Sequence, residues 1–428
     1  MKLNYKRTLL IGLAFLSICA FWQLYDSIVP LILKNTFGLG ETVTGMIMAL
    51  DNVLALFLLP LIGTLSDKAD TRFGKRMPFI VVGTILAVGL LLLLAVADRL
   101  GNLAMFIGVL FVLLLAMGLY RSPAVALMPD ATPNALRSQG NAMINLMGTA
   151  GGIFTLVMIS VLVGEGIRPD YMPLFSSVAI LMAVSIAILV CTINEKKIQQ
   201  EMAMTSGPVA KQPEPAGTVA GTEAMEPAIK RSMIFLLCSI FLWFMAYNAV
   251  TTAFSRYAGE VWGMQGGGFA NALLVATVAA VISYVPIGYI AGRVGRKKTI
   301  LGGIILMSVC YFAAAFAAAY HPLINVFFAL IGIGWAAINV NSYPMVVEMS
   351  KGKDIGKFTG TYYTFSMVAQ TITPVLSGAL LENISYRTLF PYAVIFSVLA
   401  FLTMLQVKHG DNRPERKRNA LENFDIED

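Results

Sequence analysis

The sequence predicts an all-α membrane protein whose twelve transmembrane helices form two pseudo-symmetric halves of six. Of its 428 residues, 57% are hydrophobic and only 13% are charged, with a mean hydropathy of +0.74, whereas soluble domains have about 25% charged residues. Apolar runs of about 20 residues, long enough to span a bilayer, recur along the chain. A short, cationic, glycine-containing turn between two apolar runs occurs twice, at residues 63–76 and 288–298. Such internal duplication is typical of membrane proteins built from repeats.

Hydropathy defines the predicted helices in order. Basic residues precede the first apolar run, as they would precede a secretory signal, but the run is too long for a signal and contains Trp22 and Asp26. We therefore expect a retained helix. The second and third runs flank the first cationic turn, and the eighth and ninth flank its copy. The twelve predicted spans are 8–33, 43–64, 77–97, 103–129, 138–163, 172–193, 231–256, 268–292, 299–320, 323–349, 355–381 and 387–407.

The stretch between the sixth and seventh spans has a different composition. Residues 194–230 are rich in Glu, Lys, Pro and Gly, and such a segment cannot bury a core, so we expect a flexible linker. It separates a first half, 1–193, from a second half, 231–407, which is followed by a tail, 408–428. Short patterns recur in the same order in both halves. The parallel segments are 22–26 with 243–248, and 123–130 with 344–348.

The distribution of basic residues predicts the orientation. Twelve spans place both termini on one side, and that side carries 25 of the 31 Lys and Arg residues. Because short cytoplasmic loops are enriched in Lys and Arg, we expect a cell-membrane protein with both termini in the cytoplasm. The net charge of +7 is explained by this bias and gives no reason to expect a nucleic-acid partner. The four cysteines lie in apolar segments and show no metal-ligand spacing.

Three motifs in the first half resemble a known family. Residues 63–76 read GTLSDKADTRFGKR, residues 122–130 read SPAVALMPD, and Arg137 with Asn141-Ala142 opens the fifth span. Together they resemble the major facilitator superfamily. The longer patterns are similar to the sucrose/proton symporters, which are related to the glycoside-pentoside-hexuronide cation symporters. This resemblance implies a secondary transporter that works by alternating access.

The resemblance also implies that the cationic turn latches the two halves together on the cytoplasmic side. Asp67 lies at the end of the second span, where it can pair with Arg72 or Arg76 and face the positive end of a neighbouring helix. The second copy has Gly292 in place of this acid and is expected to be a weaker latch. Alternatively, these charges only set the topology. The predicted gate residues are Gly63, Asp67, Arg72, Gly74, Arg76, Asp130, Arg137, Arg293 and Glu348.

Charged residues inside the spans are candidates for ion coupling, because a buried charge without a partner costs several kcal/mol. Asp26 and Asp51 are the candidate proton carriers, and the sequence leaves open which of them carries the proton. Either could instead be a structural carboxylate. The melibiose-type carriers have sodium-binding carboxylates at the positions of Ala55 and Leu59. Neither of these residues can ligate sodium, so the resemblance favours protons as the coupling ion.

Arg121 and a set of aromatic and amide side chains form the predicted substrate site. Pro123 should disturb the helix near Arg121, whose guanidinium could bind vicinal hydroxyls, pair with Asp26, or serve only as a structural ion-pair partner. Aromatic rings can stack on the apolar faces of sugars while amides bind their hydroxyls. The predicted substrate-binding residues are Trp22, Tyr25, Arg121, Asn145, Trp243, Tyr247, Asn248, Trp335 and Asn339.

The sequence thus predicts a monomeric, proton-coupled symporter that imports a sugar, with a glucoside disaccharide such as sucrose or maltose as the expected substrate. Two alternatives stay open: a drug or metabolite/proton antiporter of the same fold, and a non-transporting membrane receptor. The antiporter should have a more apolar cavity with fewer amides. We find no sequence motif of a hydrolase, nucleotide-binding protein or metalloenzyme, so we expect no enzymatic activity, cofactor or metal.

Overall fold

A computed structural model describes residues 3–133, 136–166, 168–205, 226–349 and 355–411. Within this part of the chain, twelve helices are long and apolar enough to cross a membrane. Their outward-facing side chains include exposed large hydrophobic residues such as Phe57, Ile85 and Ile282, as expected where lipid is the solvent. The predicted all-α membrane fold is therefore confirmed.

Six membrane helices and one short helix make up the first part of the chain. The first four membrane helices extend beyond their predicted spans by up to four residues at an end, because polar turns continue the helix past the apolar run. The bounds of the other two agree with the prediction to within one residue. The helices are α1 Tyr5–Asn35, α2 Glu41–Lys68, α3 Met77–Arg99, α4 Leu103–Asp130, α5 Arg137–Leu162, α6 Met172–Thr192 and the short α7 Glu195–Thr205.

The second part of the chain repeats this series of six membrane helices. The helices are α8 Pro227–Trp262, α9 Phe269–Val294, α10 Arg296–Ala315, α11 Leu323–Met349, α12 Ile355–Asn383 and α13 Leu389–Leu405, with a short 3-10 helix at Tyr386–Thr388. Because the chain crosses the bundle twelve times, the described ends near Leu3 and Asp411 lie on one face. We call this the terminal face, and we call the other the opposite face.

The two halves pack in the same way. In the first half α1 packs on α5 and α6, α3 on α4 and α6, and α2 on α4; in the second half α8 packs on α12 and α13, α10 on α11 and α13, and α9 on α11. The halves meet along α2 with α12, along α5 with α9, and where α1 meets α8. Each contact follows the same pseudo-two-fold relation, in which a helix of the first half corresponds to the helix seven places later. The predicted internal repeat is present in the packing.

The segment predicted as a flexible linker is partly ordered, which corrects that expectation. Residues Glu195–Thr205 form the amphipathic helix α7, and Pro227 already begins α8. Helix α7 packs at the terminal face, where Arg7 pairs with Glu201 at 3.3 Å. Charged side chains alone suggested a solvated chain, but Glu195 has a structural role at the start of this helix. The remainder of the predicted linker, 206–225, lies outside the described residues.

Glu195 caps the start of α3. Its carboxylate accepts hydrogen bonds from the backbone N–H groups of Lys75, Arg76 and Met77 at 2.9–3.1 Å, where the helix dipole favours a negative charge. Gly74, with φ of +114°, approaches this carboxylate so closely that a Cβ would lie 2.2 Å from an oxygen of Glu195. The first cationic turn is therefore held by a residue from the far end of the same half.

The second half has an equivalent cap at the start of α10. The Asp411 carboxylate accepts a hydrogen bond from the backbone N–H of Lys297 at 2.8 Å, and it lies against Gly295, which has φ of +98°. In both halves, an acid that follows the sixth membrane helix caps the third one. The glycine of each cationic turn is thus explained by a positive φ and by the close approach of a carboxylate.

Candidate functional site

A cavity of about 290 Å³ lies between the two halves, at the level of the central turns of the membrane helices. Along α1, α5, α9 and α11 the lining residues recur every three or four positions, because one face of each helix points into the cavity. The first half contributes α1 and α5, and the second contributes α8, α9 and α11. The lining residues are Phe15, Cys19, Trp22, Gln23, Asp26, Asn145, Gly148, Thr149, Gly152, Tyr247, Ala276, Thr277, Ala280, Val281, Tyr284, Ile331, Gly332, Trp335 and Asn339.

Two stacked rings form an aromatic wall on the second-half side of the cavity. Tyr247 of α8 and Trp335 of α11 lie parallel, with ring centroids 3.7 Å apart and an angle of 2° between their planes. Phe244 packs edge-on against Trp335 at 5.4 Å, behind the stack. Two stacked rings packed against a third ring form a rigid, flat surface. It can bind the apolar face of a ring-shaped ligand without first being ordered.

Polar groups face this wall from both halves. Amides come from Gln23, Asn145 and Asn339, and hydroxyls come from Thr149, Thr277 and Tyr284. Asp26 is the one charged residue among the described residues that line the cavity. A pocket with an apolar wall and a few convergent polar groups is the usual form of a small-molecule site. The lining favours a neutral or cationic ligand over an anionic one.

Trp22 separates this cavity from a second group of charges. The Arg121 guanidinium lies over the Trp22 ring, 5.7 Å from its centroid, and Trp22 packs edge-on against Tyr25 at 5.5 Å. Asp51, whose carboxylate accepts a hydrogen bond from Asn52 at 2.8 Å, is close enough for Arg121 to act on its charge. Asp51 and Arg121 do not line the cavity. One acid thus faces the cavity and the other lies behind it.

Arg121 does not form the ion pair with Asp26 that is one of its predicted arrangements. A pair with Asp26 is one of the predicted arrangements, but the guanidinium of Arg121 lies over the ring of Trp22, while Asp26 faces the cavity. The reason is geometric: Trp22 lies one turn before Asp26 on α1 and occupies the space beside Arg121. Within the described part of the chain, Arg121 forms no hydrogen bond or ion pair at contact distance, and its guanidinium lies over the ring of Trp22.

Trp22, Asn145, Tyr247, Trp335 and Asn339 are the predicted substrate-binding residues that the structure brings to the cavity. Four others do not reach it. The Tyr25 hydroxyl donates to the Met48 carbonyl at 3.2 Å and Trp243 is buried in the core, while Arg121 and Asn248 lie outside the lining.

Several lining residues are not among the predicted ones, above all Thr277 and Tyr284 of α9. Their signal was present, because they are seven residues apart and share one face of a helix that is mostly apolar. Gln23 and Thr149 could have been found in the same way, since each lies on the cavity face of a helix already represented in the prediction. A search for polar residues at helical spacing would have found all four.

The cationic turn forms an ion-pair cluster within one half. Asp67 pairs with Arg76, which is one of its two predicted partners. Arg76 also contacts Ser66 and donates a hydrogen bond to Asp130 at 3.0 Å. The same arrangement recurs in the second half, where Arg296 contacts Glu348. The proposed latch between halves is not formed by these pairs, because both partners of each pair belong to the same half.

The other predicted gate residues lie around this cluster on the terminal face. Arg72 lies over the Phe73 ring at 4.7 Å and Arg293 over the Tyr289 ring at 4.3 Å. Arg137 donates to the Pro129 carbonyl at 3.4 Å. Gly63 faces α4, where an added Cβ would lie 3.3 Å from Ser122. These contacts are also within a half.

Comparison with known proteins supports the fold. The structure is similar to the nucleoside transporter NupG, with a TM-score of 0.68 and 18% identity over 95% of this chain and all of that one. It is also similar to FucP in its outward conformation, with a TM-score of 0.55, 15% identity, and coverage of 94% and 99% of the two chains. At these identities the similarity concerns the fold alone.

Curated relatives match over shorter segments. The chain is 27% identical over 122 residues to the chloramphenicol resistance protein CraA of Acinetobacter baumannii, covering 28% of this chain and 29% of that protein. It is 35% identical over 83 residues to proton-associated sugar transporter A of Homo sapiens, covering 18% and 11%. The chain therefore matches less than a third of the length of either relative.

A family model matches nearly the whole length of the chain. Its description is Major Facilitator Superfamily, and it aligns with residues 11–284 and 263–424. Together these ranges cover both halves. The duplicated bundle, the mid-membrane cavity and this match establish that the chain belongs to the Major Facilitator Superfamily.

Proposed function

We propose that this secondary transporter is a proton-coupled symporter of the cell membrane that imports a neutral sugar, with a glucoside disaccharide such as sucrose or maltose as the expected substrate. The observation that carries the proposal is the cavity, in which the Tyr247–Trp335 stack faces amides, hydroxyls and a single carboxylate. A sugar has apolar C–H faces and hydroxyl edges, so both parts of the lining have a partner on it. Both termini would lie in the cytoplasm.

The volume and charge of the cavity support a small, uncharged substrate. The cavity volume of about 290 Å³ lies just below the usual range for ligand pockets, about 300–1,000 Å³. An acidic sugar would place its carboxylate near Asp26 with no cation in the described lining to compensate. A neutral sugar can instead donate hydroxyl hydrogen bonds to that carboxylate, and such bonds to a charged group are worth about 1.5–3 kcal/mol.

In this proposal the two acids have different roles. Asp26 faces the cavity and binds substrate, whereas Asp51, behind Trp22, carries the proton. An ionised Asp51 is partly balanced by Arg121, and protonation removes that balance. A change of charge in a membrane interior alters the relative stability of conformations, because unpaired charges there are costly. This is how proton binding could be coupled to movement of the halves.

The ion choice rests on the same region. Ala55 and Leu59 follow Asp51 on α2 and offer no side-chain oxygen for a hard cation. The similarity of an 83-residue segment to proton-associated sugar transporter A supports the pairing of protons with sugar. Coupling to protons, rather than to sodium, is therefore our proposal.

Uptake into proteoliposomes tests the function directly. We expect radiolabelled sucrose or maltose to accumulate inside the vesicles when the outside is acidic. A protonophore should abolish this accumulation, and a sodium gradient should not change it. A glucuronide should not compete, whereas a neutral glucoside should. Sodium-dependent uptake that survives the protonophore would contradict proton coupling, and competition by the glucuronide alone would contradict a neutral substrate.

A drug/proton antiporter is the second candidate, because a segment of 122 residues is similar to CraA and because an aromatic wall can bind a flat apolar drug. The direction of the driving gradient separates the two functions. A symporter accumulates its substrate when the outside is acidic, whereas an antiporter accumulates it when the inside is acidic. Testing chloramphenicol and sucrose under both gradients distinguishes the candidates in one experiment.

A further inference from the structure

Three glycines line the cavity, and helix packing explains two of them. A Cβ on Gly148 of α5 would lie 2.9 Å from the Cys19 sulfur of α1, and a Cβ on Gly332 of α11 would lie 2.0 Å from the Ala276 carbonyl oxygen of α9. At both positions a side chain would force apart two helices of the same half. The third lining glycine, Gly152 of α5, has no such neighbour.

The surroundings of Gly152 leave room for a side chain. Outside its own stretch of helix, one atom of the described chain would lie within 4 Å of an added Cβ, namely Oε1 of Gln23 at 3.8 Å, which is ordinary van der Waals contact. The preceding residue differs, because a Cβ on Gly151 would lie 2.0 Å from the Leu16 carbonyl oxygen. Glycine destabilises a helix interior relative to alanine. Packing therefore requires glycine at Gly151 but not at Gly152.

Polar groups border the space beside Gly152. The Gln23 amide of α1 donates from Nε2 to the Ser27 hydroxyl at 2.9 Å, and this bond orients the amide with Oε1 as the atom nearest to Gly152. Thr149, one turn before Gly152 on α5, lines the same cavity. An amide oxygen and a hydroxyl are groups to which sugar hydroxyls can donate hydrogen bonds.

We propose that the space beside Gly152 and Gln23 is the subsite for the second ring of a disaccharide, and that the absent side chain at Gly152 sets the size limit of the substrate. This inference rests on the proposed transport of a sugar. The first ring would stack on the Tyr247–Trp335 wall of the second half, and the second ring would reach α1 and α5 of the first half. The cavity of about 290 Å³ is small for a ligand pocket, so a few added carbon atoms decide which sugars fit.

Side chains of increasing size at Gly152 should therefore separate one-ring from two-ring sugars. In Gly152→Val the isopropyl group occupies the subsite, and we expect the affinity for maltose to fall about ten-fold or more, as overpacking does elsewhere. Methyl glucoside needs only the aromatic wall, so its affinity should stay within about three-fold of the parent value. Gly152→Ala should have a smaller effect on maltose in the same direction.

Stability in the absence of sugar tests the structural premise. Gly152→Ala should raise the apparent melting midpoint in detergent, because alanine favours the helix and its methyl group has room. Gly151→Ala is the matched control on the neighbouring residue. Its methyl group meets the Leu16 backbone, so the midpoint should fall while the ratio of maltose to methyl glucoside affinity stays at the parent value.

A cysteine adds bulk after folding, which covers the case in which Gly152→Val does not fold. In a chain whose four cysteines are replaced, Gly152→Cys should bind maltose until methyl methanethiosulfonate modifies the thiol, and a reductant should restore binding. Isothermal titration with both sugars measures the affinities before and after modification.

Two results would overturn the subsite. One is a Gly152→Val or modified Gly152→Cys protein that binds both sugars with the parent ratio. The other is a Gly152→Ala midpoint as low as that of Gly151→Ala, which would mean that packing requires glycine at both positions. A parent protein that binds neither sugar would instead refute the proposed substrate, and with it a subsite for a second sugar ring. That failure is seen before any variant is made, whereas failure of the subsite alone appears only in the variants.

Discussion

The charges around Trp22 give the sharpest expectations for single residues. Asp51→Asn should retain sugar binding but lose accumulation against a gradient, because the cavity lining is intact while the proposed proton carrier is gone. Asp26→Asn should weaken binding about 10- to 100-fold, the loss of a charge-assisted hydrogen bond of about 1.5–3 kcal/mol. Isothermal titration measures binding, and uptake with a pH gradient measures coupling. The reverse pattern would exchange the roles of the two acids.

Arg121 is expected to depend on Asp51 rather than on Asp26. Arg121→Gln leaves Asp51 as a buried acid without a nearby cation, so folding yield and uptake should both fall. Arg121→Lys keeps the charge and should retain more of both. Adding Asp51→Asn to Arg121→Gln should restore the folding yield without restoring accumulation, whereas adding Asp26→Asn should not. Fluorescence-detected size-exclusion chromatography and uptake report the two quantities. Rescue by Asp26→Asn alone would show that the guanidinium pairs with that acid.

How far the sequence predicts the site depends on whether a residue stands out within its own helix. Asp26 and Trp335 do, because a charge or a large ring in the middle of an apolar span is conspicuous, and both reach the cavity. Glu41 and Arg256, which form an ion pair of 2.6 Å between the halves, do not stand out, because each lies near the end of a span, where charged residues are ordinary. Their pairing depends on how α2 of one half meets α8 of the other, which no single-helix pattern encodes.

At the scale of helices, the cap on α3 predicts a stability effect. Glu195→Gln removes a buried charge that accepts hydrogen bonds from three backbone N–H groups at the positive end of the helix, which should cost about 1–2 kcal/mol. The apparent melting midpoint in detergent should fall measurably. Glu201→Gln is the matched control on the same helix, because Glu201 is half exposed in its pair with Arg7 and such surface pairs contribute little. Equal midpoints for the two variants would contradict the cap.

Amino-acid composition does not predict the contacts that α7 makes. Residues 194–230 contain too few apolar side chains to form a core, and α7, the one described helix that lies wholly among them, is not one of the membrane helices. The same composition cannot reveal that Glu195 reaches the start of α3, since the interaction joins residues more than a hundred positions apart. Span positions, by contrast, follow from hydropathy, because every backbone group within lipid must be satisfied inside a helix.

For the whole molecule, the sequence predicts the duplication but not the seam, by which we mean the contact surface between the two halves. The repeated cationic turn indicates two equivalent halves, and the packing of α1–α6 recurs in α8–α13. The repeat alone does not say that α2 meets α12 and α5 meets α9. Small residues at these contacts, such as Gly45 and Gly378, are recognised as interface residues only when the partner helix is known.

Those glycines lead to an expectation about the conformational equilibrium. Gly45→Ala places a methyl group where the backbone of Pro374 lies in the closed seam, and overpacking of this kind costs about 1–3 kcal/mol. The methyl group has no such neighbour once the seam is open, so the population should shift toward opening at the opposite face, about five- to a hundred-fold. Spin labels on Val43→Cys and Ile384→Cys, both exposed and on different halves, should report a longer distance.

Gly89→Ala is the control for this substitution, because Gly89 lies within a membrane helix and an added Cβ meets nothing within 4 Å. It should leave the distance distribution and the uptake rate as they are in the parent. Gly378→Ala, on the other side of the same contact, should reproduce the effect of Gly45→Ala, since its Cβ would meet the Glu41 backbone. Unchanged distances in both seam variants would mean that α2 and α12 can adjust without parting.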